Sequence, residues 1–280
     1  MGFCAFSVSC YNIITVLIGV EDMRKMFGGI VIVVFSIGLI VSMALIANQR
    51  QQAQLEKESV TYANLRIAKQ SSTEISDLKT PSNGLKRVGQ GKKLTYVAMG
   101  DDIAAGHYTS TEKAAYPYLV AAYLQKQLDF KVTMKSVWES GATIGTSGLS
   151  NINTVVNNKP DIITIQYGNN EQTSPGSTAN LYRTNLNQAI KQLQARLPKV
   201  RIILVTPWNQ NSSFKKAVVS VSKLTGTKVV DISAIQTAKD TNAVKGAISW
   251  AGSVSGDWPN NAGNAKIASV IEQTVLKMYK

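Results

Sequence analysis

Pro160-Asp161-Ile162-Ile163-Thr164-Ile165-Gln166-Tyr167-Gly168-Asn169-Asn170-Glu171 is the stretch that decides the fold. A proline opens an apolar run, Asp161–Tyr167, and a glycine with two asparagines closes it. Such a run is a strand covered on both faces, and the polar residues behind it belong to a loop at its carboxyl end. Outward from it the pattern repeats. Upstream, Leu94–Met99 runs into Gly100-Asp101-Asp102, Ala114–Gln127 has helical spacing, and strand Phe130–Val137 runs into Glu139-Ser140-Gly141; Ser150–Asn157 is helical. Downstream come helix Leu181–Arg196, strand Val200–Thr206, helix Ser212–Leu224, strand Lys228–Ile232 and a closing helix Ala262–Tyr279. Apolar strands alternating with helices predict an α/β fold, a parallel sheet between helical layers. Its ligands belong beyond the strands' carboxyl ends, where Asp101-Asp102, Ser140-Gly141, Asn169-Asn170-Glu171 and Trp208-Asn209-Gln210 all fall.

That domain, residues 94–280, follows three segments of other character. Gly28–Ala47 contains no charge and no amphipathic period, and as a helix it measures roughly 30 Å, the thickness of a bilayer's apolar core. Arg24 and Lys25 stand before it, so the positive-inside rule leaves everything after Ala47 outside the cytoplasm. The expectation is a single-pass signal-anchor; cleavage after Ser42-Met43-Ala44 would instead release the domain. Residues 1–27 include a second uncharged run and Met23, which resembles a natural start. Residues 48–93 are polar, basic and rich in turn residues, a flexible tether. The chain carries a net charge of +13, and its only cysteines, Cys4 and Cys10, lie in the first apolar stretch. With no cysteine downstream and His107 as the lone histidine, zinc sites of the Cys or multi-His kind are excluded.

In this frame the residues resemble a family. Ala98-Met99-Gly100-Asp101-Asp102 resembles the Gly-Asp-Ser block of SGNH (GDSL) hydrolases, and Ser140-Gly141-Ala142-Thr143 looks like their second block. Gly168-Asn169-Asn170-Glu171 is similar to their Gly-x-Asn-Asp, and Asp257-Trp258-Pro259-Asn260-Asn261-Ala262-Gly263 to the end of Asp-x-x-His-Pro-Asn-x-x-Gly. The blocks come in the family's order across nearly all of Leu94–Lys280. The resemblance implies a three-layer flavodoxin-like sandwich with a central parallel sheet, here preceded by an N-terminal transmembrane helix. It also implies an ester-cleaving serine, with a histidine as base, an aspartate orienting the histidine, and a glycine and an asparagine stabilising the oxyanion. By position, Gly141 and Asn170 survive as oxyanion donors. The nucleophile's place holds Asp102, the base's Trp258 and the orienter's Ser255. A carboxylate at 102 puts negative charge where the oxyanion forms, and it could accept the hole's own donors.

His107 is a candidate substitute base, given a hydroxyl such as Ser140 or Ser147, or else an ordinary first-turn histidine. Asp101, Asp102, His107 and Glu171 fit no metal motif, so no metal and no cofactor is implied. Trp138, Trp208, Trp250 and Trp258 are expected near the loop-bearing rim. There Trp138, Trp208, Asn209 and Glu171 are candidates to bind a sugar; the alternative is that each tryptophan fills a gap in the loop core. Residues 94–280 hold 19 Lys+Arg against 11 Asp+Glu, dispersed along the sequence without interleaved aromatics, which argues against nucleic acid. The expected function is a membrane-tethered, hydrolase-like domain without its triad, binding a cell-envelope polysaccharide or a teichoic-acid-like anionic polymer. The alternatives are an acyl-ester hydrolase or acyltransferase with a rebuilt site, and a membrane-tethered scaffold.

Overall fold

A computed structural model describes residues 88–209 and 211–279, with Ser42, Met43, Leu45, Ile46, Gln49 and Arg50 before them. The chain divides into two compact units, Met1–Gln51 and Gln52–Lys280. In the first, the six described residues are helical and exposed. The remainder of the expected anchor Gly28–Ala47, all of segment 1–27 and most of the tether 48–93 lie outside the described residues. Among the described residues no helix is long and apolar enough to cross a membrane.

In the second unit, five strands form one sheet: β1 (Lys93–Gly100), β2 (Lys131–Trp138), β3 (Ile162–Gln166), β4 (Arg201–Val205) and β5 (Lys228–Val230). Their order is β2-β1-β3-β4-β5, and every neighbouring pair is parallel. The helices are α1 (Asp102–Ala105), α2 (Tyr116–Lys126), α3 (Ile152–Asn157), α4 (Ala179–Arg196), α5 (Ser212–Thr225), α6 (Ser233–Gln236) and α7 (Asn261–Tyr279). A two-stranded hairpin, β6 (Ile248–Ser249) with β7 (Gly252–Ser253), stands apart from the sheet. Each strand and long helix lies within two residues of its sequence expectation. The short elements α1, α6 and the hairpin were not foreseen.

Strand alternation splits the core in two. Tyr96, Ala98 and Ile162 face the layer of α2 and α7, where they meet Val120, Leu124, Ile267 and Ile271. Val97, Met99, Ile163 and Ile165 face the other layer, built from α3, α4 and α5. Both apolar layers are made from residues between Leu94 and Val275, so the described domain carries its own core. The expected boundary at Leu94 is slightly late: Gly89 already donates its N–H to Leu128 O, and Lys92 O accepts from Lys131 N–H. Sequence neighbours β1 and β2 lie at one edge while β3 sits on β1's other side. The strand order therefore reverses between β1 and β3, the place where sheets of this kind form a ligand crevice beyond the strands' carboxyl ends.

Candidate functional site

The crevice is built from the turn after β1. Gly100 has no room for a side chain, because a Cβ there would collide with Ala104 and with Gln166 O on β3. Asp101 then caps α1, its Oδ1 accepting the Ile103 N–H at 3.0 Å while Oδ2 accepts Asn169 Nδ2–H at 2.9 Å. Asp101 is fully buried, and that burial pushes its carboxyl up to about 8 against the pull of those two hydrogen bonds and with the push of neighbouring Asp102. The turn delivers Asp102, the first residue of α1, into the crevice.

Four groups converge on the Asp102 carboxylate. Oδ2 accepts the Gly141 N–H and Asn170 Nδ2–H, each at 3.0 Å. Oδ1 accepts the Ser140 hydroxyl at 2.7 Å and lies 3.2 Å from His107 Nδ1. Gly141 reaches this position with φ +70°, a left-handed conformation that glycine adopts without strain. Asn170 also donates to Ala142 O, which fixes its amide. Burial alone raises the Asp102 pKa, but the hydrogen bonds from His107, Asn170, Ser140 and Gly141 outweigh it and hold the carboxyl well below the usual range. The group is ionised and fully coordinated at neutral pH.

Two aromatic pairs involve the residues that follow α1. His107 meets the Trp250 ring edge-on at 5.3 Å, and Tyr108 stacks on Trp258 at 5.0 Å and 10°. Trp258 Nε1–H donates to Ser255 Oγ at 2.9 Å. An indole nitrogen is a donor only, so Trp258 has no lone pair with which to take a proton. Trp250 is pinned through Nε1–H to Gly106 O at 2.7 Å, and the residue is 39% exposed. The hairpin that carries it thereby rests on the segment after α1.

Other expected site residues take different places. Trp208 is wholly buried and donates Nε1–H to Asp257 O, so it fills the loop core instead of offering a face to a ligand. Glu171 is buried too, its carboxylate accepting the N–H groups of Ile144 at 2.6 Å and Gly168 at 2.8 Å; it ties the second and third loops together. Burial raises its pKa, and those backbone bonds oppose the rise. Trp138 is half-buried and packs edge-on against Tyr118 at 6.0 Å. Asn209 serves through its backbone: its N–H donates to Asn169 Oδ1 and its carbonyl accepts from Gln172. Asp101 and Glu171 each point at separate backbone donors, and among the described residues no three His, Cys, Asp or Glu side chains could hold a metal. Sequence reasoning put Asn169 at this strand end without a role, and the structure gives it one: its amide joins Asp101 to the Trp208 N–H. The residue it missed is Tyr108, which no motif singles out.

The family model of the GDSL-like lipase/acylhydrolases matches residues 98–266, more than half of the chain, and the protein belongs to that family. Solved structures share the fold. A two-domain esterase active on acetylated mannans superposes with TM-score 0.54 at 17% identity over 69% of this chain. This chain spans only 52% of that esterase's length. The esterase EstA from Pseudoalteromonas sp., in a structure inhibited by monoethylphosphonate, gives TM-score 0.52 at 19% identity, covering 66% of this chain and 98% of its own. A lipase/acylhydrolase from Enterococcus faecalis gives 0.53 at 20%, covering 66% and 96%. No curated protein of known function matches the chain.

Proposed function

We propose that this is a membrane-tethered, extracytoplasmic member of the GDSL family that binds a cell-envelope glycan and turns over no ester. One observation carries the reading: the Asp102 carboxylate already accepts the Gly141 N–H and the Asn170 amide, the donors that the family resemblance assigns to the oxyanion. Losing a triad member leaves roughly 10³–10⁴-fold acceleration from the hole and binding alone. Here the hole itself is filled, so that remainder goes as well. Because Asp102 stays ionised, the crevice repels a polyanion and favours a neutral glycan, stacked on the exposed face of Trp250. The activity of a similarly folded esterase on acetylated mannans supports a polysaccharide as the ligand. Anchoring rests on the sequence of Gly28–Ala47.

A second reading, a rebuilt acyl-ester hydrolase or acyltransferase, draws on the 3.2 Å contact between His107 Nδ1 and Asp102. A carboxylate at Nδ1 favours the tautomer in which Nε2 can act as a base.

One experiment separates the two. Residues 88–280 are assayed on p-nitrophenyl acetate and treated with an ethylphosphonate ester, with mass spectrometry for an adduct. The expected outcome is no turnover above background and no adduct in the unmodified domain. Both should appear in Asp102→Ser/Trp258→His/Ser255→Asp, with a rate gain on the order of a thousandfold. Turnover by the unmodified domain that His107→Ala abolishes would establish the rebuilt enzyme instead. Wall glycan stripped of anionic polymer should retain the domain, and Trp250→Ala should weaken that retention about tenfold.

A further inference from the structure

The structure assigns a second functional face, at the sheet's amino end, opposite Asp102: we infer that this pole docks the domain on an anionic lipid surface. The topology gathers there cations that look dispersed in the sequence. Every strand of the sheet starts beside one, at Lys93, Lys131, Lys159, Arg201 and Lys228. Each long helix runs back toward the same end and carries a cation in its last turn, at Lys126, Arg196, Lys223 and Lys277. All of these side chains are exposed. The helix-end cations also complement the partial negative charge of the helix dipoles. The strand-start cations have no such role, because strands carry little net dipole, and of them only Arg201 has a described ring contact, over Tyr279 at 4.6 Å. Among the described carboxylates, those at this pole are Asp129 and Asp161, and Asp161 Oδ2 accepts the Thr95 N–H.

The charge is accompanied by shape. Between the loops that precede β3 and β4 lies a shallow cavity of about 210 Å³, lined by Lys159, Arg196 and Lys199 with Pro160, Pro198 and Asp161. A phosphate-bearing headgroup matches three cations around such a concavity. Arg196 also donates to Asn153 Oδ1, which steadies it at the rim. The position of the pole selects lipid as its occupant. The polypeptide enters the domain here, through Gly89–Lys93, from a tether that follows the uncharged stretch Gly28–Ala47. The choice of lipid rests on the anchoring proposed above: with Gly28–Ala47 held in a bilayer, a basic surface on the same chain would be exposed to the counter-charge field of anionic headgroups. Docked in this way, the domain turns the Asp102 crevice away from the bilayer. The inference is independent of whether that crevice cleaves an ester.

The test is co-sedimentation of residues 88–280 with phosphatidylcholine vesicles, with and without 30 mol% phosphatidylglycerol as a chosen probe composition, roughly in the range where surface charge governs binding. The expected result is binding only to the anionic vesicles, falling as salt is raised through about 0.15 M. Lys159→Glu/Lys199→Glu/Lys228→Glu should weaken it on the order of a hundredfold. Lys216→Glu/Lys239→Glu/Lys245→Glu changes the net charge equally at the other pole and should retain most of the binding. Thermal unfolding of both variants verifies that they are folded. Equal loss in the two variants would overturn the inference, since net charge and not this face would then govern binding. Retention on soluble poly(glycerol phosphate) without sedimentation on anionic vesicles would overturn it in favour of a wall polymer.

Discussion

The two ends of the sheet use charge in opposite ways. At the carboxyl end the acidic side chains are enclosed and hydrogen-bonded, and one of them, Asp102, is held as the anion: Asp101, Asp102 and Glu171 each accept at least two hydrogen bonds. Two of the lysines there have acidic partners as well, Lys215 with Asp231 at 2.6 Å and Lys266 with Asp240 at 2.8 Å. At the amino end, exposed cations stand at every strand start, and the two carboxylates among them do not balance the charge. The first arrangement fixes loops and depends on desolvation, whereas the second leaves the fold almost unaffected and projects a field into solvent. Substitutions should therefore read out as stability at one end and as salt-dependent association at the other.

The largest effect on stability is expected at Glu171. Its removal leaves the N–H groups of Ile144 and Gly168 buried without an acceptor, and each such group costs about 1–3 kcal/mol. Glu171→Ala should thus lower stability by about 3 kcal/mol, or roughly 10 °C in Tm for a domain of this size. Glu171→Gln, which keeps one acceptor, should lose less. Urea unfolding provides the measurement. A change within about 0.5 kcal/mol for the alanine variant would show that Glu171 does not hold these loops.

Adjacent carboxyls at the same end should respond to pH with opposite signs. Asp101 is raised to about 8 in the folded domain. The folded state therefore holds a proton that the unfolded chain releases near pH 4, and Asp101's contribution, complete below that pH, is lost as pH rises towards 8. Asp102 is depressed, so its contribution is present above about pH 4 and is lost as pH falls through its folded value. Denaturation midpoints between pH 4 and 8 should decline in the unmodified domain, with a slope of at most about 1.4 kcal/mol per pH unit from Asp101. Asp101→Asn should flatten that decline. Asp102→Asn should keep the slope, lower stability throughout and remove the additional loss below pH 4. An undiminished decline in Asp101→Asn would refute the assignment to Asp101.

The sheet was legible because burial on both faces writes itself into uninterrupted runs such as Ile162–Gln166, and the long helices because their apolar residues recur with the helical period. The donors Gly141 and Asn170 were legible through motif order, and their convergence on Asp102 followed from the chemistry of a carboxylate at that place. The tryptophans were not. Trp208 and Trp250 sit in similar polar loop sequence, yet one is sealed over the Asp257 carbonyl and the other rests on His107; only the packing of distant loops decides between them. Glu171 misled for a related reason, since its partner Ile144 lies in another loop and no local pattern reveals it. The basic pole was invisible for a topological reason. Lys131, Lys159 and Lys228 are far apart in sequence, and parallel strand order alone brings their strand starts together.

The smallest expected effect compares one lysine from each end. Lys215 holds Asp231 and donates to Ser233 Oγ at 2.9 Å, but both charged groups are more than a third exposed. A pair of that kind contributes about 0.5 kcal/mol and weakens with salt. Lys215→Gln should therefore cost about that much at low ionic strength and less at 1 M NaCl, where the Debye length is about 3 Å. Lys228 makes no described salt bridge and stands in a field of like charge. Lys228→Gln should be neutral or slightly stabilising at low salt, and the difference should vanish as salt rises. The two variants thus approach the unmodified domain from opposite sides as screening increases. If both lost stability equally, and equally at every salt concentration, the lysines would be acting through their aliphatic stems and the electrical contrast between the poles would have no bearing on folding.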